Sequence, residues 1–111
     1  MRPPKIVRLI DQSNPVLYLQ SDENYTFLYF KNKRREISGY SLKCFENLPE
    51  FKSFIRVNRH YMINPEFIKD LYLKDNAPFI ELLDGHQFLV SRRRYKLMFG
   101  NLIFHDAKFA C

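Results

Sequence analysis

The sequence predicts a mostly β protein, a largely antiparallel sheet domain with two short helices. Three observations carry that expectation. Aromatic residues form 16% of the chain, all Phe and Tyr with no Trp, and such side chains favour pleated, half-buried surfaces. Short apolar runs alternate with turn signals along most of the chain. Helical spacing of apolar residues occurs in only two places, from Leu42 to Leu48 and from Tyr95 to Leu102. With 111 residues, 46% hydrophobic and 27% charged, the chain has the size and composition of one folded domain with a single core.

Residues 1–15 read as a lead-in segment, because Pro3-Pro4 favours an extended entry and Asn14-Pro15 is a turn signal. Residues 16–111 form the domain that follows. Val16 to Gln20 reads as a strand, then Asp22-Glu23-Asn24 as a polar loop. Tyr25 to Phe30 is nearly continuous aromatic and aliphatic sequence, as expected of a strand covered on both sides. Lys31 to Arg35 makes a basic turn into a strand over Glu36 to Tyr40. Ser41 can cap a short helix whose apolar positions are Leu42, Phe45 and Leu48, with Pro49 helping to end it.

The stretch from Phe54 to Asn64 organises the chain. Ile55, Val57, Tyr61 and Ile63 share one parity and belong on one strand face. Arg59 shares it too, and a guanidinium cannot sit on a buried face without a partner. The conflict is resolved if the strand breaks at Asn58-Arg59-His60 and a kink turns these side chains outward. Asn, Arg and His are good readers of base edges; a solvated hairpin end is the competing interpretation. Beyond it, Pro65-Glu66 makes a turn and Phe67 to Leu73 a strand, broken by Asp75-Asn76-Ala77-Pro78. Phe79 to Leu83 and His86 to Val90 then form a hairpin around Asp84-Gly85, a strong turn pair. Ser91 caps the last helix, with Tyr95, Met98, Phe99 and Leu102 on its apolar side and Gly100 weakening or ending it.

Catalytic chemistry finds little support. None of the three Gly sits in a phosphate-cradling loop. His60, His86 and His105 lie far apart, with no Cys or carboxylate at zinc-ligand spacing. The chain is therefore expected to be no enzyme and to need no metal or cofactor. No apolar run reaches the ~20 residues of a membrane span, and the first residues lack the apolar core of a signal peptide. Cys44 is expected as a small packing residue and, with Cys111, forms no disulfide framework, which suits a reducing cytoplasm.

Charge is more informative. The net charge is +6 and the pI about 9.4, which favours polyanionic partners. The cations cluster at Lys31–Arg35, at Arg56 and Arg59, and at Arg92-Arg93-Arg94 with Lys96. A charge run is often only a solvated face, and for the first cluster that remains open. Three arginines in the first turn of a helix are different, since the macrodipole already places positive charge there. Stability alone would select Asp or Glu. A phosphate would satisfy both the guanidinium forks and the helix N–H groups. In a meander, moreover, the Asp22–Asn24 loop and the Lys31–Arg35 turn fall at opposite sheet ends, so one short duplex would not engage both.

Three blocks of residues resemble the LytTR (LytR/AlgR-type) DNA-binding domain of bacterial transcription regulators. They are Tyr18-Leu19-Gln20-Ser21 through Asn24-Tyr25, the Phe54–Asn64 stretch, and Ser91-Arg92-Arg93-Arg94-Tyr95-Lys96. The resemblance spans about Val16 to Leu102. It implies an elongated, largely antiparallel β fold whose loops enter successive major grooves of double-stranded DNA. Base contacts are implied for Asn24-Tyr25, Asn58-Arg59-His60 and Arg93, with Arg56 and Arg92 as phosphate contacts or supports. It further implies the output domain of a response regulator in a two-component system, with a receiver or sensor outside this chain and a repeated DNA site. The family commonly has His at position 58, Ser at 60 and often Glu at 20. Asn58, His60 and Gln20 depart from that pattern and bear on the target sequence. The alternative is a small β domain that stacks single-stranded RNA or DNA on Tyr18, Tyr25, Phe27 and Tyr29.

Overall fold

The structure, a computed structural model, describes residues 13–98 and 102–106. The expectations for Pro3-Pro4, Phe99, Gly100 and Cys111 lie outside them. The chain divides into two compact units, Met1–Arg56 with His60–Pro65 and Val57–Arg59 with Glu66–Cys111. Each carries one sheet, so the fold is mostly β with two helices, as the sequence predicts.

The first sheet has the order β3-β2-β1-β5-β4. Its strands are β1 (Val16–Asp22), β2 (Tyr25–Phe30), β3 (Arg35–Ser38), β4 (Ile55–Arg56) and β5 (Tyr61–Ile63). All its pairings are antiparallel. Leu19 pairs with both Leu28 and Met62, which fixes the apolar face. Helix α1 (Leu42–Glu46) and the 3₁₀ turn Pro49–Phe51 cover that face, packing Leu42, Phe45, Leu48 and Phe51 on Leu19, Leu28, Phe30 and Met62. Ser41 caps α1 as expected, its hydroxyl accepting the Cys44 N–H at 3.4 Å.

The other face is only partly covered, which corrects the expectation that β2 is buried on both sides. Tyr25 is 52% exposed, and Phe27 and Tyr29 are half-buried. Tyr29 stacks on Tyr18 with centroids 4.4 Å apart, and the Arg35 guanidinium lies over Phe27 at 4.8 Å. A cation and a tyrosine ring thus do the shielding that a second apolar layer does elsewhere. The third strand starts at Arg35, one residue earlier than expected. It ends at Ser38, beyond which the buried Thr26 hydroxyl donates to the Tyr40 carbonyl.

Where β1 is irregular between Val16 and Tyr18, β5 is tied to it by a side chain. The Asn64 N–H donates to the Leu17 carbonyl and its buried amide nitrogen to the Val16 carbonyl, both at 2.9 Å. The asparagine side chain thus adds a second bond to β1 just beyond the last β1–β5 pair.

The second sheet has the order β8-β7-β6-β9. Its strands are β6 (Ile68–Lys74), β7 (Ala77–Leu82), β8 (Gln87–Leu89) and β9 (His105–Asp106), and α2 spans Arg92–Met98. Phe67, expected in the strand, closes a 3₁₀ turn at Pro65–Phe67. Asp75 and Asn76 both take positive φ, 53° and 65°, the turn geometry whose twist suits a two-residue hairpin. The strand therefore resumes at Ala77 rather than Phe79. Pro78 is tolerated because it lies beside the hairpin, and its carbonyl still accepts the Val90 N–H at 2.9 Å. Gly85, at φ 95°, sits in the predicted Asp84-Gly85 turn. The two-residue β9 runs parallel to β6, a pairing no local pattern announced.

Candidate nucleic-acid interface

The parity conflict at Arg59 is resolved by a hairpin: β4 and β5 pair antiparallel with each other, so residues 57–60 are the hairpin end of the competing interpretation and not a kink within one strand. Residues 57–60 leave the ladder, Val57 stays fully buried, and Arg59 and His60 are exposed. What surrounds the break differs in the two units.

In the first unit the break meets the β1–β2 connection. Asp22 pairs with Tyr25, leaving Glu23 (φ 55°) and Asn24 as a two-residue turn. The Ser21 N–H donates to the His60 carbonyl at 2.7 Å, one step beyond the Gln20–Tyr61 pair. Exposed Asn24, Tyr25 and His60 therefore share one end of this sheet. The turn containing Lys31, Lys33 and Arg34 lies at the other end, as the meander requires, since it joins β2 to β3. There the Asn32 N–H donates to the Asn14 side chain, and Arg34 pairs with Glu36 at 3.0 Å.

Arg56 is placed differently. Its side chain is only 17% exposed, and Nη1 lies 2.6 Å from Glu46 Oε1, tying β4 to α1.

In the second unit, Val57–Arg59 lies against the corner between β8 and α2. The Ser91 N–H donates to the Val57 carbonyl at 2.8 Å. Asn58 Nδ2 donates to the Leu89 carbonyl at 2.7 Å. Ser91 also caps α2, its hydroxyl accepting the Arg94 N–H at 3.3 Å and its carbonyl the Tyr95 N–H at 2.8 Å. The exposed Arg92 and Arg93 follow at once, and neither forms an ion pair among the described residues. With Lys96 and Leu97 they line an open groove of about 480 Å³. Two segments far apart in sequence, Val57-Asn58 and Leu89–Ser91, are thereby bonded to one another, with Arg59 directly after the first and Arg92-Arg93 directly after the second.

Among the described residues no group of three or more His, Cys, Asp or Glu could hold a metal ion, and no helix is long and apolar enough to cross a membrane. Sequence reasoning missed the Leu89 carbonyl and Glu46, the partners that hold Asn58 and Arg56. The first is backbone, which no residue pattern reports. The second is a surface-type acid on a short helix, with nothing local to mark it.

Exposed arginines thus stand in the β4–β5 connection and in the first turn of α2 of a mostly β domain. The model of the LytTr DNA-binding domain family matches residues 8–102, and the chain belongs to that family of DNA-binding domains. Among solved structures, it is similar to a LytTr DNA-binding domain from Bacillus cereus, of a protein described as a methyl-accepting/DNA response regulator. The TM-score is 0.66 at 26% identity, over 75% of this chain and 76% of that one. No curated protein matches the chain.

Proposed function

We propose that this domain binds duplex DNA sequence-specifically as the output domain of a bacterial cytoplasmic transcription regulator, its loops entering successive major grooves. The bonds from Val57 and Asn58 to Ser91 and Leu89 carry the proposal, because they tie the segment that bears Arg59 to the one that bears Arg92-Arg93. Arg59 and Arg93 read base edges, with guanine favoured because its O6 and N7 accept a bidentate guanidinium. Arg92 holds a phosphate. Asn24, Tyr25 and His60, together at one end of the first sheet, supply the second set of contacts. One such domain reads few base pairs, so a regulatory site is a repeat with half-sites about one helical turn or a multiple apart. A receiver or sensor domain or protein outside this chain supplies the signal, in keeping with the response regulator that holds the B. cereus domain.

The stacking alternative keeps the exposed Tyr25 but loses two of its four rings. Tyr18 is only 5% exposed and already carries Tyr29 on its face, so neither offers a free platform for a base.

Selection from a random duplex pool, followed by titration of the selected and a scrambled duplex at several salt concentrations, tests the proposal. Arg93→Ala is expected to cost about 1–3 kcal/mol on the selected site and to flatten preference at one base position. Arg92→Ala is expected to weaken both duplexes alike and to lower the salt slope by about 0.9. Tighter binding of the wild-type protein to single strands would overturn the proposal.

A further inference from the structure

Asn58 lies beside the exposed Arg59, and an asparagine there invites the role of adenine reader, which uses both its carbonyl and its amide. Its amide is held by the protein instead. Nδ2 donates to the Leu89 carbonyl, 31 residues away, at 2.7 Å. One residue earlier, the Val57 carbonyl accepts the Ser91 N–H at 2.8 Å. Leu89 C=O and Ser91 N–H are an acceptor and a donor two residues apart on one extended segment, as a strand presents them to a neighbour. Val57 C=O and Asn58 Nδ2 answer with an acceptor and a donor. The pair is a two-rung ladder in which one rung is a side chain, because the chain has left strand geometry after Arg56. Asn64 likewise adds a side-chain bond to the Val16 carbonyl, where β1 is irregular.

Resting on the duplex-binding reading above, we propose that Asn58 is a positioning residue, whose amide bond to the Leu89 carbonyl locks the Arg59 segment to the Arg92-Arg93 turn so that both meet DNA preorganised. Arg59 follows Asn58 by one residue, and Arg92 follows Ser91 by one. An arginine carries large rotamer freedom, and its backbone is the part the fold can fix in advance. With the Asn58 rung gone, the Arg59 segment loses one of its bonds to the Leu89–Ser91 segment, and binding must supply more of the order that folding supplied.

Two measurements test this. In the free protein, amide hydrogen exchange at Ser91 is expected to quicken about three- to tenfold in Asn58→Leu, which is near-isosteric and has no donor. The Val90 amide, which donates to Pro78, is expected to keep its wild-type rate. On the selected duplex the variant is expected to lose about three- to tenfold in affinity, with weaker preference at the bases read by Arg59 and Arg93 and no new one. In an Arg93→Ala background the same substitution is expected to cost distinctly less, because part of its effect runs through Arg93. Asn58→Ala, smaller and equally without a donor, repeats the comparison should leucine disturb the fold. Unchanged Ser91 exchange, or an equal loss in both backgrounds, overturns the proposal. Failure of the duplex-binding reading shows differently, as wild-type protein that binds selected and scrambled duplexes equally.

Discussion

Neutralising the most basic turn of the chain should leave DNA binding almost untouched. The perturbation is Lys33→Gln with Arg34→Gln, which removes two positive charges from the β2–β3 turn. β2 runs from Tyr25 to Phe30, which at ~3.3 Å per residue separates that turn from the Asn24–Tyr25 end by about 17 Å. In water two unit charges at that distance interact by only ~0.2 kcal/mol. A Debye length of about 8 Å at physiological salt cuts this roughly eightfold. Even several phosphates bring the sum for both residues to no more than about 0.3 kcal/mol, less than a twofold change in affinity. Arg34 is also paired with Glu36 at 3.0 Å and 70% exposed, so its field is further damped and little stability depends on it. The assay is fluorescence anisotropy on a duplex no longer than one selected site, at four or five salt concentrations. A log–log salt slope within ~0.3 of wild type is the expected result, against a drop of about 0.9 for each phosphate that the protein ceases to neutralise. A slope lower by nearly two, with tenfold weaker binding, would place phosphates at the Lys33–Arg34 turn and refute the assignment of sheet ends.

The same salt series decides the role of Arg56. Arg56→Met is expected to cost about 1–2 kcal/mol of stability, between the exposed and buried limits for an ion pair, and to leave the salt slope unchanged; a slope lower by about 0.9 would show that Arg56 binds a phosphate instead. A pH dependence is expected at the β6–β9 edge, where His105 Nε2 lies 2.6 Å from Asp70 Oδ1. The bond to Asp70, then the one to the Asp106 carbonyl, raise the His105 pKa above its ordinary 6.5. The stabilisation is therefore fully present below about pH 6.5 and fades as pH rises through the raised folded value. Amide exchange along β9 should quicken beyond its intrinsic rise as pH climbs above 6.5, and Asp70→Asn should remove that excess; an NMR titration midpoint for His105 at or below 6.5 would contradict it.

How much of this was legible in the sequence depended on whether a residue's partner was near it in the chain. Arg59 announced the break between β4 and β5 because a guanidinium violated the parity of its immediate neighbours. Ser41 and Ser91 announced helix starts, and Asp84-Gly85 its turn, because caps and tight turns are local geometry. The alternation of a meander even assigned Asn24 and Arg34 to opposite ends. Pro78 misled, since its place beside the Asp75-Asn76 hairpin overrode its reputation as a strand breaker. The insertion of β5 beside β1, the two-residue β9, and the ties of Arg56 to Glu46 and Asn58 to Leu89 all join residues with no local pattern in common. This limit falls hardest on the candidate site. Residue type alone makes Arg56, Asn58, Arg59 and Arg93 equally good readers of DNA. Arg56 has a carboxylate 2.6 Å away, and Asn58 a carbonyl at 2.7 Å. A side chain that must first release such a partner forfeits part of the affinity it would bring. Arg92 and Arg93, exposed and without an ion pair among the described residues, carry no such cost, which is why the strongest expected effects fall on the late helix turn and not on the stretch with the most suggestive composition.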